Sequence, residues 1–198
     1  MIEITRADMH ETDPRAKISE IFVAGFYQWL RYFSKDRQKL AGALAHMFNL
    51  DVFYIGVTDG QIAGIAALSG GDRPAVTLDR KEFLKHLGFI RGSIAYKVLK
   101  GEFMDKKYPI EHKPGTAYVE MAATSPEFRK KGVAGAIITH FFSLPEYREY
   151  VLEAADTNEN AVRLYEKLGF REFSRVEMKH KKQSGINFLL YMKYAKEP

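Results

Sequence analysis

The chain has no cysteine. Disulfides, thiolate metal sites and cysteine nucleophiles are therefore excluded. It also lacks any run of about eighteen apolar residues, the length a membrane-spanning helix requires. Its opening, MIEITRADMHETD, has neither the basic nor the apolar region of an export signal, so the expected location is the cytoplasm. The pattern G-x-x-x-x-G-K-[ST] is missing, and so is G-x-G-x-x-G. Nucleotide binding by a P-loop and a dinucleotide fingerprint both drop out. Histidines stand at 10, 46, 86, 112, 140 and 180 with no ligand spacing, so no metal site is expected.

What is present is an ordinary globular composition. The 198 residues are 46% hydrophobic and 28% charged, enough for one domain with a real core and far from disorder. The net charge is +5, which suits a phosphorylated ligand, an acidic substrate or nucleic acid. The excess is local. Residues 80–113 hold nine Lys or Arg against four acids, which accounts for the whole chain's surplus.

Hydrophobic spacing predicts a strand in IEITRAD, a helix over 15–33, a second helix in DRQKLAGALAHMF, and two β-rich runs split by Asp59-Gly60, a strong hairpin signal. Residues 71–116 read as a helical insertion within a single domain spanning 1–198. Phe83, Leu87, Ile90, Ile94 and Val98 form its apolar stripe, and Asp79 with Glu82 resembles a capping box. The second half alternates: strand AYVEMAA, helix 132–142, strand EYVLEAA, helix 159–168 closed by Gly169, then strands FREFSRVEM and NFLLYMKY joined by the basic KHKKQSG. This order predicts a mixed α/β sheet.

Two segments carry chemistry. In RKKGVAG, Arg129, Lys130 and Lys131 run into Gly132, Val133, Ala134 and Gly135 at the start of a helix. Free N–H groups and the positive end of the helix dipole attract anions there, and small residues let a ligand approach the backbone. A solvated basic turn has the same composition, so this segment alone leaves both readings open. The second segment is DTNENAVRLYEKLGFRE, after the following strand.

Together, R-x-x-G-x-A after one strand and N-x-x-A-x-x-L-Y-E-K-L-G-F after the next resemble the GNAT superfamily of acetyltransferases, over about residues 118–172. Ala134 stands where many members have Gly, and both keep the backbone accessible. The resemblance implies a GNAT-like acyl-CoA N-acyltransferase fold with a helical insertion before the central strand. It implies acetyl transfer from acetyl-CoA, as co-substrate, to a small-molecule or peptide amine, and it leaves a homodimer open. Residues 129–135 become the pyrophosphate loop. Met121, Ala122, Ala123 and Thr124 become the main-chain grip on the acetyl and pantetheine arms, and Asn158 a further contact. Asn is equally a good helix cap.

The same resemblance casts Tyr165 as general acid, although its helix face with Ala161, Leu164 and Leu168 is also explained by packing. Glu120 is the preferred base, with Glu153 the alternative, since an amine near pKa 10.4 arrives protonated and a carboxylate can take its proton. Each could also be the solvent-facing residue of its strand. Phe26, Tyr27 and Trp29 are candidates for the acceptor side, and the basic insertion for an acidic acceptor or the CoA phosphates. A non-catalytic acyl-CoA sensor on the same fold is the second reading. A nucleic-acid binder is the third, and the absence of any recognised motif speaks against it.

Overall fold

The computed structural model of the chain describes residues 1–70, 73–105, 108–110, 113–178 and 181–196, without the side chains of 182 and 183. Lys106, Lys107, Glu111, His112, Lys179 and His180, counted above among the charged residues and histidines, lie outside the described residues.

A mixed sheet carries the fold. Its strands are β1 (Glu3–Arg6), β2 (Phe53–Thr58), β3 (Gln61–Ser69), β4 (Thr116–Thr124), β5 (Glu149–Ala155), β6 (Arg171–Glu177) and β7 (Phe188–Ala195). They lie in the order β1-β2-β3-β4-β5-β7-β6, with β4 and β5 parallel and the other pairs antiparallel. The β2–β3 hairpin turns where the dipeptide predicts. Asp59 and Gly60 have φ of 50° and 71°, the left-handed pair that a two-residue turn needs.

Helices cover both faces. α1 (Arg15–Leu30), α2 (Arg37–Leu44), α3 (Arg80–Leu87) and α4 (Phe89–Phe103) contribute to one apolar cluster with Phe53, Ile55 and Ile65 of the sheet. α5 (Val133–Phe142) and α6 (Glu159–Lys167) belong to the other, with Leu68, Val119 and Leu152. β3 is buried almost throughout, and its small residues let the layers close up. A Cβ on Gly64 would sit 2.6 Å from Val133 of α5. α6 ends in a Schellman motif: Gly169 has φ 94°, its N–H reaches the Glu166 carbonyl, and that of Phe170 reaches Tyr165. A short helix, α7 (Lys181–Ser184), occupies part of the basic connection before β7. No helix among the described residues is long and apolar enough to cross a membrane.

The stretch between β3 and β4 corrects the apolar stripe expected there. Gly88, at φ 78°, breaks the helix in two and resets its phase. α4 then buries Gly92, Ala95 and Leu99, because Gly92 packs so closely on α3 that a Cβ would lie 2.5 Å from the Phe83 carbonyl oxygen. This face turns inward, leaving Ile90, Ile94 and Val98 73%, 52% and 45% exposed.

The capping box is only half formed. The Asp79 carboxylate accepts the Lys81 N–H, but the Asp79 N–H goes to His46 Nε2 at 2.9 Å, while Glu82 pairs with Lys85 and His86. That bond needs a neutral imidazole. Burial, the largest influence, holds His46 below its ordinary pKa against the opposing charges of Glu82 and Asp79. A depressed folded-state value means this contribution is fully present above about pH 6.5 and is lost as pH falls through the folded value. The melting temperature should therefore fall between pH 7 and pH 5, by about 2–4 °C per kcal/mol lost. Circular dichroism melts of His46→Gln, which keeps an acceptor but does not titrate, should show a shallower fall.

Candidate active site

The site begins where two parallel strands part. β4 pairs with β5 from Thr116↔Glu149 to Val119↔Leu152 and no further, although the strands run on to Thr124 and Ala155. On its other side β4 stays joined to β3, through a bulge between Ala67↔Glu120 and Ile65↔Ala123. Within that bulge Met121 has φ 55°, a left-handed conformation that costs a non-glycine residue about 1–3 kcal/mol. The β4–β5 ladder ends at Val119, and beyond it β4 runs on to Thr124 beside β3 alone.

A cavity of about 620 Å³ fills the opening. Glu120, Met121 and Ala122 line it from β4, Glu153 from β5, and Asn158, Ala161 and Tyr165 from the α6 segment. Phe22, Phe26 and Trp29 of α1 and Ile94, Val98 and Phe103 of α4 form an apolar wall. Both candidate bases and the candidate acid thus share one chamber with the main chain of the split strand. Ala123 and Thr124 lie further along β4, opposite Ile65 and Gly64, and do not line the cavity. Tyr27 does not line it either: its hydroxyl donates to the Lys35 carbonyl and Arg37 lies over its ring.

The two carboxylates are built alike. Val119 and Leu152 are the last paired residues and pack in the α5–α6 cluster. One position on, the pleat turns Glu120 and Glu153 to the opposite face. Glu120 accepts Ser69 Oγ at 2.6 Å on one oxygen and the Tyr108 hydroxyl at 2.9 Å on the other. Glu153 accepts from the hydroxyl of Tyr191, its register partner on β7. Burial first, and then these carboxylates, push both phenols well above the ordinary tyrosine value, so they stay donors throughout the neutral range. The Tyr108 ring lies tilted against Tyr118, 4.3 Å between centroids, and meets Tyr191 edge-on at 6.1 Å. Sequence reading missed Ser69, Tyr108 and Tyr191. The one available signal was an aromatic residue in the charged and proline-containing stretch KKYPIEHKPG.

Tyr165 is 8% exposed and packs on Phe170, so its packing role is real. Burial raises its pKa to about 12. Asn158 also does two things. Its side chain accepts the Ala161 N–H as the α6 cap, and it borders the cavity.

The basic turn stands apart from the chamber. Arg129, Lys130, Lys131, Gly132, Val133, Ala134 and Gly135 do not line the cavity and instead shape the start of α5. Lys130 and Gly132 take left-handed φ of 62° and 82°, and no side chain caps the helix. The N–H groups of its first turn have no intrahelical partner. A Cβ on Gly132 would meet nothing within 4 Å, so conformation rather than space calls for glycine. Arg129 Nη2 lies 3.5 Å from the Ala24 carbonyl oxygen, and Lys131 sits over the Phe128 ring.

Residues 15–170 match the family model described as the acetyltransferase (GNAT) family. No curated protein sequence matches. Among solved structures, an N-acetyltransferase from Staphylococcus aureus Mu50 aligns over 97% of this chain and 100% of its own, at 16% identity and a TM-score of 0.63. A GNAT-family acetyltransferase from Bacillus cereus ATCC 10987 covers 100% and 99%, at 12% and 0.59. The ribosomal-protein-S18-alanine N-acetyltransferase of Escherichia coli covers 98% and 94%, at 16% and 0.53. At these identities the structures speak to the fold. The family match takes in the split strand, the uncapped helix start and the α6 segment together, and on that match the chain belongs to the acetyltransferase (GNAT) family.

Proposed function

We propose that the protein moves an acetyl group from acetyl-CoA to a primary amine by direct attack. The observation that carries this reading is the convergence of Glu120, Glu153 and Tyr165 on one cavity at the β4–β5 split. The residues present fit the co-substrate. The uncapped α5 start with left-handed Gly132 suits a pyrophosphate, and the unpaired edge of β4 suits an arm that bonds like a strand. Acetyl-CoA supplies an activated acyl thioester.

The chain supplies the rest. Glu120 takes the ammonium proton, directly or through water, and frees the nitrogen lone pair. N–H groups of the β4 edge donate to the carbonyl oxygen as negative charge builds there. Tyr165, on the cavity wall, would serve the leaving sulfur. With the phenol near 12 and an alkyl thiol near 8.5, complete proton transfer runs uphill by about 5 kcal/mol. Its contribution is therefore as a hydrogen-bond donor to the sulfur, with water completing the protonation.

Acetyl-CoA mixed with a panel of amines should release free CoA for at least one acceptor. A thiol reagent reads this without protein background, since the chain has no thiol. Acetyl-CoA binding without turnover of any amine would instead support the sensor reading. Backbone conformation, more than charge, should govern the loop. Gly132→Val, strained at φ 82°, is expected to weaken acetyl-CoA binding about tenfold or more, and Lys130→Ala about threefold or less. Calorimetric titration of both variants checks the order.

A further inference from the structure

The insertion between β3 and β4 gives the chamber more than an apolar wall. Beyond the end of α4 it brings Tyr108 to the cavity, where the phenol lines the same space as Phe103 and Glu120. The strand pleat explains how that phenol meets the carboxylate. Tyr118 and Glu120 stand two apart on β4 and share one face of the sheet. The Tyr108 ring lies against Tyr118, and its hydroxyl reaches the next position on that face, donating to Glu120 Oε1 at 2.9 Å. Ser69 is the register partner of Tyr118 on β3, and its hydroxyl donates to Glu120 Oε2 at 2.6 Å. Each oxygen of the carboxylate is thus held by a different element. Tyr191 of β7 braces the Tyr108 ring from another side, edge-on.

Resting on the acetyl-transfer reading with Glu120 as base, we propose that Tyr108 is a positioning residue, whose hydroxyl fixes the angle at which the Glu120 carboxylate meets the acceptor's proton. The last torsion of a glutamate is soft, with no sharp staggered wells. A donor on one oxygen leaves that rotation partly open, and a second donor on the other oxygen closes it. The angle matters because a base must come within about 2.6–3.2 Å of the atom whose proton it takes. A misplacement of about 1 Å can cost about 10²-fold in rate. Tyr108 gives up no proton in this role and needs no contact with the substrate. The insertion then serves the chemistry itself, where its charge pointed to an acidic acceptor or the CoA phosphates.

Tyr108→Phe tests this, since it removes the hydroxyl and keeps the ring against Tyr118 and Tyr191. With acetyl-CoA and an amine that the wild type turns over, kcat should fall about tenfold while both KM values and the melting temperature hold. In a Glu120→Gln background the same change should cost less than about twofold, because a residue acting through Glu120 has no base left to position. Ser69→Ala frees the other oxygen and should show the same dependence on Glu120, so a folding defect in one variant leaves the other to decide. An unchanged kcat in Tyr108→Phe overturns the proposal. So does a rise in KM with kcat held, which would make Tyr108 a substrate contact, and so does a full tenfold loss in the Glu120→Gln background. Acetyl transfer stands in all three cases. A wild type inert towards every amine overturns acetyl transfer itself, and the proposal with it.

Discussion

Tyr165→Phe is expected to lower kcat for acetyl transfer by about 10²–10³-fold while leaving acetyl-CoA affinity unchanged. The size is that of removing one preorganised donor from developing charge. Affinity should hold because the ring stays. Phe keeps the packing on Phe170 and the apolar face of α6, and only the hydroxyl is lost. The pH profile carries a second expectation. A raised phenol pKa keeps the donor protonated to higher pH, so Tyr165 itself should impose no alkaline loss of rate until pH approaches about 12. Steady-state kinetics from pH 7 to 10, together with calorimetry on the variant, checks both parts.

Glu120→Gln should reduce kcat/KM by about 10²-fold or more, in the range of a lost general base, and Glu153→Gln by less. Glu120 ranks first because it lies on β4, whose unpaired edge is the proposed acyl-holding element, and because hydroxyls on both sides fix its position. Glutamine fills the same volume and can still bond to Ser69 and Tyr108, so the melting temperature should change little. A loss from Glu153→Gln equal to or greater than that from Glu120→Gln would move the base to β5. Comparing kcat/KM of the two variants, with melts as control, settles the order.

The sequence foretold elements better than it foretold the gaps between them. β5 begins and ends at the residues read from EYVLEAA, since a short, mostly apolar run between turn residues leaves little freedom. The α6 stop was legible because only a left-handed residue fits there, and Gly169 supplies it. The β4–β5 split was not legible from side chains. It is a main-chain event, at a bulge around Met121, and only the family resemblance pointed to the main chain of 121–124. Glu120 stood out as a charge in an apolar strand, but its partners came from 51 and 12 residues away in sequence, where no local pattern reports them. The α4 stripe misled for a related reason. Close packing at Gly92 turned Gly92, Ala95 and Leu99 inward and left Ile90, Ile94 and Val98 on the cavity and solvent side. That inversion is what gives the chamber its apolar wall.

Direct transfer within the β4–β5 cavity is tested most directly by rapid mixing of the protein with acetyl-CoA, with and without an amine from the acceptor panel that is turned over. Free CoA and the intact protein mass are followed through the first turnover. The expected result is no CoA release and no mass change without amine, and CoA release matched by acetylated amine when amine is present. A burst of CoA with an acetylated protein, or bound acetyl-CoA that no amine discharges, would contradict it.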